Sequence, residues 1–115
     1  MDPGSDLVDA SAAVLVFTTL PISADAEAFA RALVDERLAA CVAVSAEIRS
    51  IYRWEGAISV EGERQVIIKT LGGRVQDLCQ RLASLHPYTV PEFLVVPAAD
   101  GSPAYLDWIR GSVSA

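Results

Sequence analysis

A chain of 115 residues makes one domain around one core. Its apolar fraction of 52% excludes a disordered chain and leaves more apolar surface than a small monomer hides, a first sign of self-association. A net charge of −6 argues against a nucleic-acid backbone or an anionic membrane as the main partner.

Residues 1–11, "MDPGSDLVDAS", read as a solvated acidic tail without the basic start of a signal peptide. "AAVLVFTT" (12–19) has the pattern of a strand buried on both faces, and Pro21 closes it. Ser23 is placed as N-cap of an amphipathic helix over 24–38, with Asp25 and Glu27 favouring its dipole and Phe29, Leu33 and Leu38 facing inward.

From Cys41 the period becomes two. Val42, Val44, Ala46, Ile48, Tyr52 and Trp54 are expected on one face, and Ser45, Glu47, Arg49 and Arg53 on the other. "EGAI" turns the chain, and 57–71 returns as a second long strand with Gly62 as its expected bulge. Both strands exceed what so small a core needs, so their tip is expected to project beyond one subunit.

"GGRVQDLCQRLASLHP" is the second helix, with Val75, Cys79, Leu82 and His86 on one stripe and Pro87 stopping it. "PEFLVVP" (91–97) is a strand whose prolines suit an edge. "SPAYLDWI" closes the domain as a helix, with Ser102 as N-cap, Pro103 at the first position, and Tyr105, Trp108 and Ile109 on one face.

The order β-α-β-β-α-β plus a closing helix predicts an α+β, ferredoxin-like domain over 12–112. That topology brings Thr18, Thr19, His86, Glu92 and the Trp54–Ala57 hairpin toward one edge of the sheet, and Cys41 to the opposite edge. No run is long enough to span a membrane. Cys41 and Cys79, in apolar surroundings without CxxC spacing, read as buried unbridged thiols in a reducing compartment, hence a cytoplasmic protein.

Several chemistries lack their parts. The third strand, "EGERQVIIKT", has no aromatics interleaved with basic residues for RNA. "TTLPIS" offers neither arginine nor glycine for a phosphate cradle. No nucleophile–base pair can be placed by spacing, so binding is expected rather than enzymatic catalysis. His86, the only histidine, either finishes a helix or serves as a ligand. Glu92 is either an edge-strand charge or a pocket group. Lys69 is either solvated or pairs with an anion or a neighbouring carboxylate. Tyr52 and Trp54, near the projecting tip, call for cover from another copy of the chain.

"ERLAACV" (36–42), "SIYRWEG" (50–56), "IIKT" (67–70), "HPYTVPE" (86–92) and "YLDWI" (105–109), in that order and spacing, resemble the CutA divalent-cation-tolerance family over residues 13–110. The resemblance implies a homotrimer similar in architecture to PII signalling proteins, with long β-hairpins packed around the threefold axis. It also implies a pocket between subunits, whose matching positions are Cys41, Tyr52, Trp54, Glu55, Lys69, His86, Pro87, Tyr88, Pro91 and Glu92. The copper site proposed for some members maps to Thr18, Leu85 and His86, so one ligand of three remains. Ala43 stands where the family often has asparagine, and "SAEIRSIY" lacks its usual Pro-Gly. The resulting expectation is Cu(II) or another divalent metal on His86 and Glu92, with Lys69 as counter-charge and Tyr88 as wall. A PII-like trimer binding a small anionic metabolite and a purely structural trimeric platform are the alternatives.

Overall fold

The computed structural model describes residues 8–114. Its elements run β1 (Ala13–Pro21), α1 (Ala26–Asp35), β2 (Cys41–Trp54), β3 (Ala57–Leu71), a short 3-10 turn at Gly72–Arg74, α2 (Val75–Leu85), β4 (Leu94–Pro97) and α3 (Pro103–Val113). The sheet order β2-β3-β1-β4, antiparallel throughout, is the ferredoxin-like arrangement read from the sequence. β4 pairs only with β1 and forms an edge, as its prolines suggested, but it starts at Leu94 rather than Pro91.

Alternation along β1 explains the core. Val14, Val16 and Leu20 are almost fully buried and pack with Val66 and Ile68 of β3 against Phe29 and Leu33 of α1 and Val75, Leu78 and Leu82 of α2. Each large side chain so removed from water contributes roughly 1.5–3 kcal/mol. A second cluster, Ala13, Ala40, Ile109 and Val113, holds α3.

Three local expectations are corrected. Asp25, not Ser23, caps α1, its carboxylate accepting the Ala28 N–H at 3.0 Å; both residues suit the position, and the Pro21 turn sets which one reaches it. The buried stripe of α2 is Val75, Leu78 and Leu82, while Cys79 is half-buried, and His86 lies just past the helix with extended backbone (φ −81°, ψ 136°). On α3 the inward residues are Ile109 and Val113; Tyr105 and Trp108 stack on each other at 5.5 Å and remain exposed.

Part of the expected tail is packed. Residues 1–7 lie outside the described region, but Val8 rests against the main core. Gly72 and Gly73 donate to the carbonyls of Ala12 and Ala10 at 2.9 Å each. A Cβ on Gly72 would come within 2.1 Å of the Asp9 carbonyl oxygen, so only glycine permits this approach.

The bulge is on β2, not at Gly62. Between Val44 and Glu47 the register slips by one residue, while Gly62 pairs in step with Arg49. Ser45 occupies the bulge, and its hydroxyl accepts the Gln65 N–H at 2.8 Å, satisfying a donor the slip would leave open. A one-residue slip exchanges faces. Val42 and Val44 therefore share the helix-covered face with Ile68 and Val66, whereas Ile48, Tyr52 and Trp54 lie on the opposite one. The single apolar face expected for 41–54 is in fact two faces joined at the bulge.

Beyond the bulge the ribbon runs on alone. From Glu63, the last partner of β1, to Ala57 at the turn is six residues, about 20 Å at about 3.3 Å per residue. Its two-residue turn, Glu55–Gly56, has positive φ at both positions (50° and 80°). That geometry matches the right-handed twist of the strands.

Candidate functional site

The residues singled out from the sequence fall in three places. Cys41 and Lys69 face each other across β2 and β3 near the α3 end. Trp54 and Glu55 sit at the hairpin tip. His86, Tyr88 and Glu92 gather beside the end of β1, with Tyr52 close enough to act electrostatically on Tyr88. Within one subunit these residues do not form a single pocket: the tip and the Cys41–Lys69 pair each lie about 20 Å along the ribbon from Glu63.

The middle group is the most closely built. β4 stops pairing with β1 at Phe17, so the β1 edge beyond it is taken by the loop that follows α2. His86, brought there because Pro87 ends the helix, is buried and places Nε2 2.6 Å from the Thr19 carbonyl oxygen. Its Nδ1 accepts the Tyr88 N–H at 3.0 Å. A carbonyl must accept and an N–H must donate, so the ring hydrogen sits on Nε2 and the Nδ1 lone pair is already committed. Phe29 meets the ring edge-on at 6.4 Å, and Tyr88 tilts against it at 4.9 Å.

At the centre of this group is a residue the sequence did not bring forward. Glu63 is 5% exposed, and its Oε2 accepts two hydroxyls, Tyr88 at 2.9 Å and Thr19 at 3.2 Å. Burial, then the hydrogen bond to Glu63 and its charge, push the Tyr88 phenol up to about 12; Tyr52 and Glu61 add to the shift. Gln65, next on the same face, donates to the Thr18 carbonyl at 2.9 Å and reaches Glu92 at 3.5 Å. In sequence Glu63 is one charge in the polar run "VEGERQ". Its only signal is its alternation with Ile67 and Lys69.

Lys69 finds a phenol rather than a carboxylate. Its ammonium donates to the Tyr105 hydroxyl at 3.1 Å, which raises its pKa, and lies 5.4 Å from that ring's centroid. Cys41 also contributes to the shift. Neither Cys41 nor Cys79 forms a disulfide, and both are half-buried rather than buried. A groove of about 410 Å³ lies behind His86, lined by Leu20, Phe29, Leu85 and Pro87 and by Ser23 and Asp25 at the start of α1.

Within one subunit these donors do not converge. Both ring nitrogens of His86 are engaged, Glu92 is exposed and held only by Gln65, and Cys41 lies at the other end of the sheet. Among the described residues no three His, Cys, Asp or Glu side chains converge to hold a metal ion. In the single chain the His86 imidazole is a hydrogen-bonding joint between α2 and β1.

The family described as CutA1 divalent ion tolerance protein matches residues 14–112. The divalent-cation tolerance protein CutA of Thermus thermophilus is 44% identical over 96 residues, covering 84% of this chain and 93% of that protein. The crystal structure of CutA from Xylella fastidiosa superposes with a TM-score of 0.85 at 42% identity, over 89% of this chain and 98% of that one. The structure of the periplasmic divalent cation tolerance protein CutA from Archaeoglobus fulgidus gives 0.84 at 31% identity, over 89% and 99%. Among the described residues no helix is long and apolar enough to cross a membrane.

Proposed function

The chain belongs to the CutA1 divalent ion tolerance protein family, and from that premise we propose that it is a binding protein of divalent-metal tolerance. It works as a homotrimer, without catalysis, and its ligand pocket lies between subunits. The observation that carries this reading is the uncovered ribbon: Ile51 is 68% exposed, Ile58 60% and Trp54 57%. Leaving such side chains in water costs roughly 1.5–3 kcal/mol apiece, which neighbouring copies recover on assembly.

The pocket in this reading is the group around His86, Tyr88, Glu92 and Tyr52, with Trp54 and Glu55 delivered by a neighbour's tip. A divalent ion there, copper included, draws at least one ligand from another copy, because one chain does not supply the set. Lys69 favours a second reading, an anionic metabolite, since its ammonium meets a phenol but no carboxylate among the described residues. The half-buried unbridged cysteines suit a reducing compartment, and the cytoplasm is the proposed location.

Light scattering and calorimetry with Cu(II), Zn(II) and a nucleotide panel test the proposal. The expected result is a trimer with saturable binding of a divalent ion, dispersed by Trp54→Asp. A single-chain species at low micromolar concentration, or no binding of any ion, would overturn it. Saturable binding of a nucleotide alone would select the anion reading.

A further inference from the structure

The most buried carboxylate of the described chain has no cation. Glu63 is 5% exposed, lies in no ion pair, and is held through one oxygen alone, by the Thr19 and Tyr88 hydroxyls. Its Oε1 accepts no hydrogen bond among the described residues. Nor is it one of the sealed polar atoms left without a partner, which are Thr18 Oγ1 and Thr70 Oγ1. Oε1 is therefore an unpaired acceptor that is not fully sealed from solvent. A buried carboxylate keeps its charge only with a compensating cation or a full set of donors. The nearest basic side chain in sequence, Arg64, is turned away and donates to the Ser45 carbonyl.

No basic side chain among the described residues meets Glu63, so a cation at Oε1 would come from outside this fold unit, and the surroundings select its kind. A metal ion needs several converging ligands, which the described residues do not present here. One free carboxylate oxygen beside the Tyr88 hydroxyl, with Tyr52 near enough to act on that phenol, suits an N–H cation, which bonds directionally to a single oxygen. We propose that Glu63 Oε1 is the acceptor for a guanidinium or ammonium group that enters the pocket from outside the subunit. Accepting it places Glu63, rather than His86, as the primary polar contact of the pocket proposed above, on which this inference rests.

Two sources carry that chemistry. One is a second copy: Arg49 and Arg53 project from the ribbon, exposed, with no hydrogen bond or ion pair among the described residues. The other is a free ligand bearing such a group. Charge complementarity between an unpaired buried acid and unpaired arginines on the segment that leaves the subunit favours the second copy.

The test uses the full chain as it assembles, with Glu63→Gln, Arg49→Gln and Arg53→Gln variants. Their melting midpoints are combined in double-mutant cycles, and methylguanidinium and Mn²⁺ are titrated separately while the Tyr88 ring signals are followed by NMR. If the source is a sister chain, Glu63→Gln and one arginine variant each lower the midpoint by several degrees, and the pair is clearly non-additive. If the source is a ligand, wild type binds methylguanidinium saturably and Glu63→Gln weakens it roughly tenfold, with no arginine coupling. Absence of both effects overturns the inference. So does loss of Mn²⁺ binding in Glu63→Gln, which assigns the carboxylate to a metal. Should Glu63→Gln not fold, the arginine variants and the wild-type titration still decide between these results. Divalent-ion binding that survives in Glu63→Gln leaves the metal-tolerance reading intact, so the two proposals stand or fall separately.

Discussion

His86 donates from Nε2 to the carbonyl oxygen of Thr19 at 2.6 Å, and Thr19 in turn donates its hydroxyl to Glu63. The end of α2, the free edge of β1 and the buried acid of β3 are therefore one hydrogen-bonded unit. Removing the imidazole leaves the Thr19 carbonyl and the Tyr88 N–H open and creates a cavity beside Phe29. His86→Ala is expected to destabilise the fold by about 2–4 kcal/mol, read by urea denaturation at fixed protein concentration. His86→Gln, whose amide reaches the Nε2 position, should recover part of the loss; equal loss in both variants would show that the hydrogen bond to Thr19 is not what matters.

The Tyr88 phenol gives a pH dependence with a definite sign. Its pKa is raised from 10.0 to about 12 on folding, so the protonated form is favoured in the native state. The associated stability is complete below pH 10 and is lost as pH rises toward 12. Denaturation midpoints across that window should fall in wild type and fall less steeply in Tyr88→Phe. Parallel profiles would mean that another group sets the alkaline limit.

Glu55 occupies a left-handed backbone conformation (φ 50°) that costs a residue with a Cβ about 1–2 kcal/mol, and less for asparagine. Glu55→Asn converts the turn into the Asn-Gly form that such two-residue hairpins prefer. A gain of roughly 0.5–1 kcal/mol is expected, with Glu55→Val moving the other way because β-branching resists positive φ. Thermal melts of the three proteins at one concentration would show this order.

Arg74 fastens the last turn of α3 by donating twice to the Val113 carbonyl, at 3.1 and 2.6 Å. Arg37 holds the neighbouring Ser112 carbonyl at 3.2 Å. Arg74→Ala should cost about 1–2 kcal/mol and speed amide exchange at the end of α3 before it affects β1 or β3. Arg74→Lys should restore less than half of this, since an ammonium cannot form the fork.

The order of elements was legible because most joints carry a punctuating residue: Pro21, the Glu55–Gly56 pair, Pro87 and Ser102–Pro103. The bulge was not. Ser45 and Ala46 are small enough to sit on either face, so alternation from Val42 to Trp54 reads as unbroken, while Gly62 drew the assignment although it pairs normally. His86 was placed within reach of Thr19 by topology alone, and the contact is there. Its commitment at both nitrogens depends on the extended backbone at 86, which brings the Tyr88 N–H back over the ring. Glu63 escaped notice because its burial comes from Tyr88 and Thr19, remote in sequence, and not from its own strand.

The uncovered ribbon beyond Ser45 bears on how the chain must be handled after synthesis. Ile51 and Trp54 emerge on opposite surfaces of the same two-stranded arm. One flat partner can mask only one of these surfaces, so in the proposed trimer the arm is clasped from both sides at once. On that proposal a newly released polypeptide carries two oily flanks until the clasp closes, and the time spent waiting sets its exposure to misassociation.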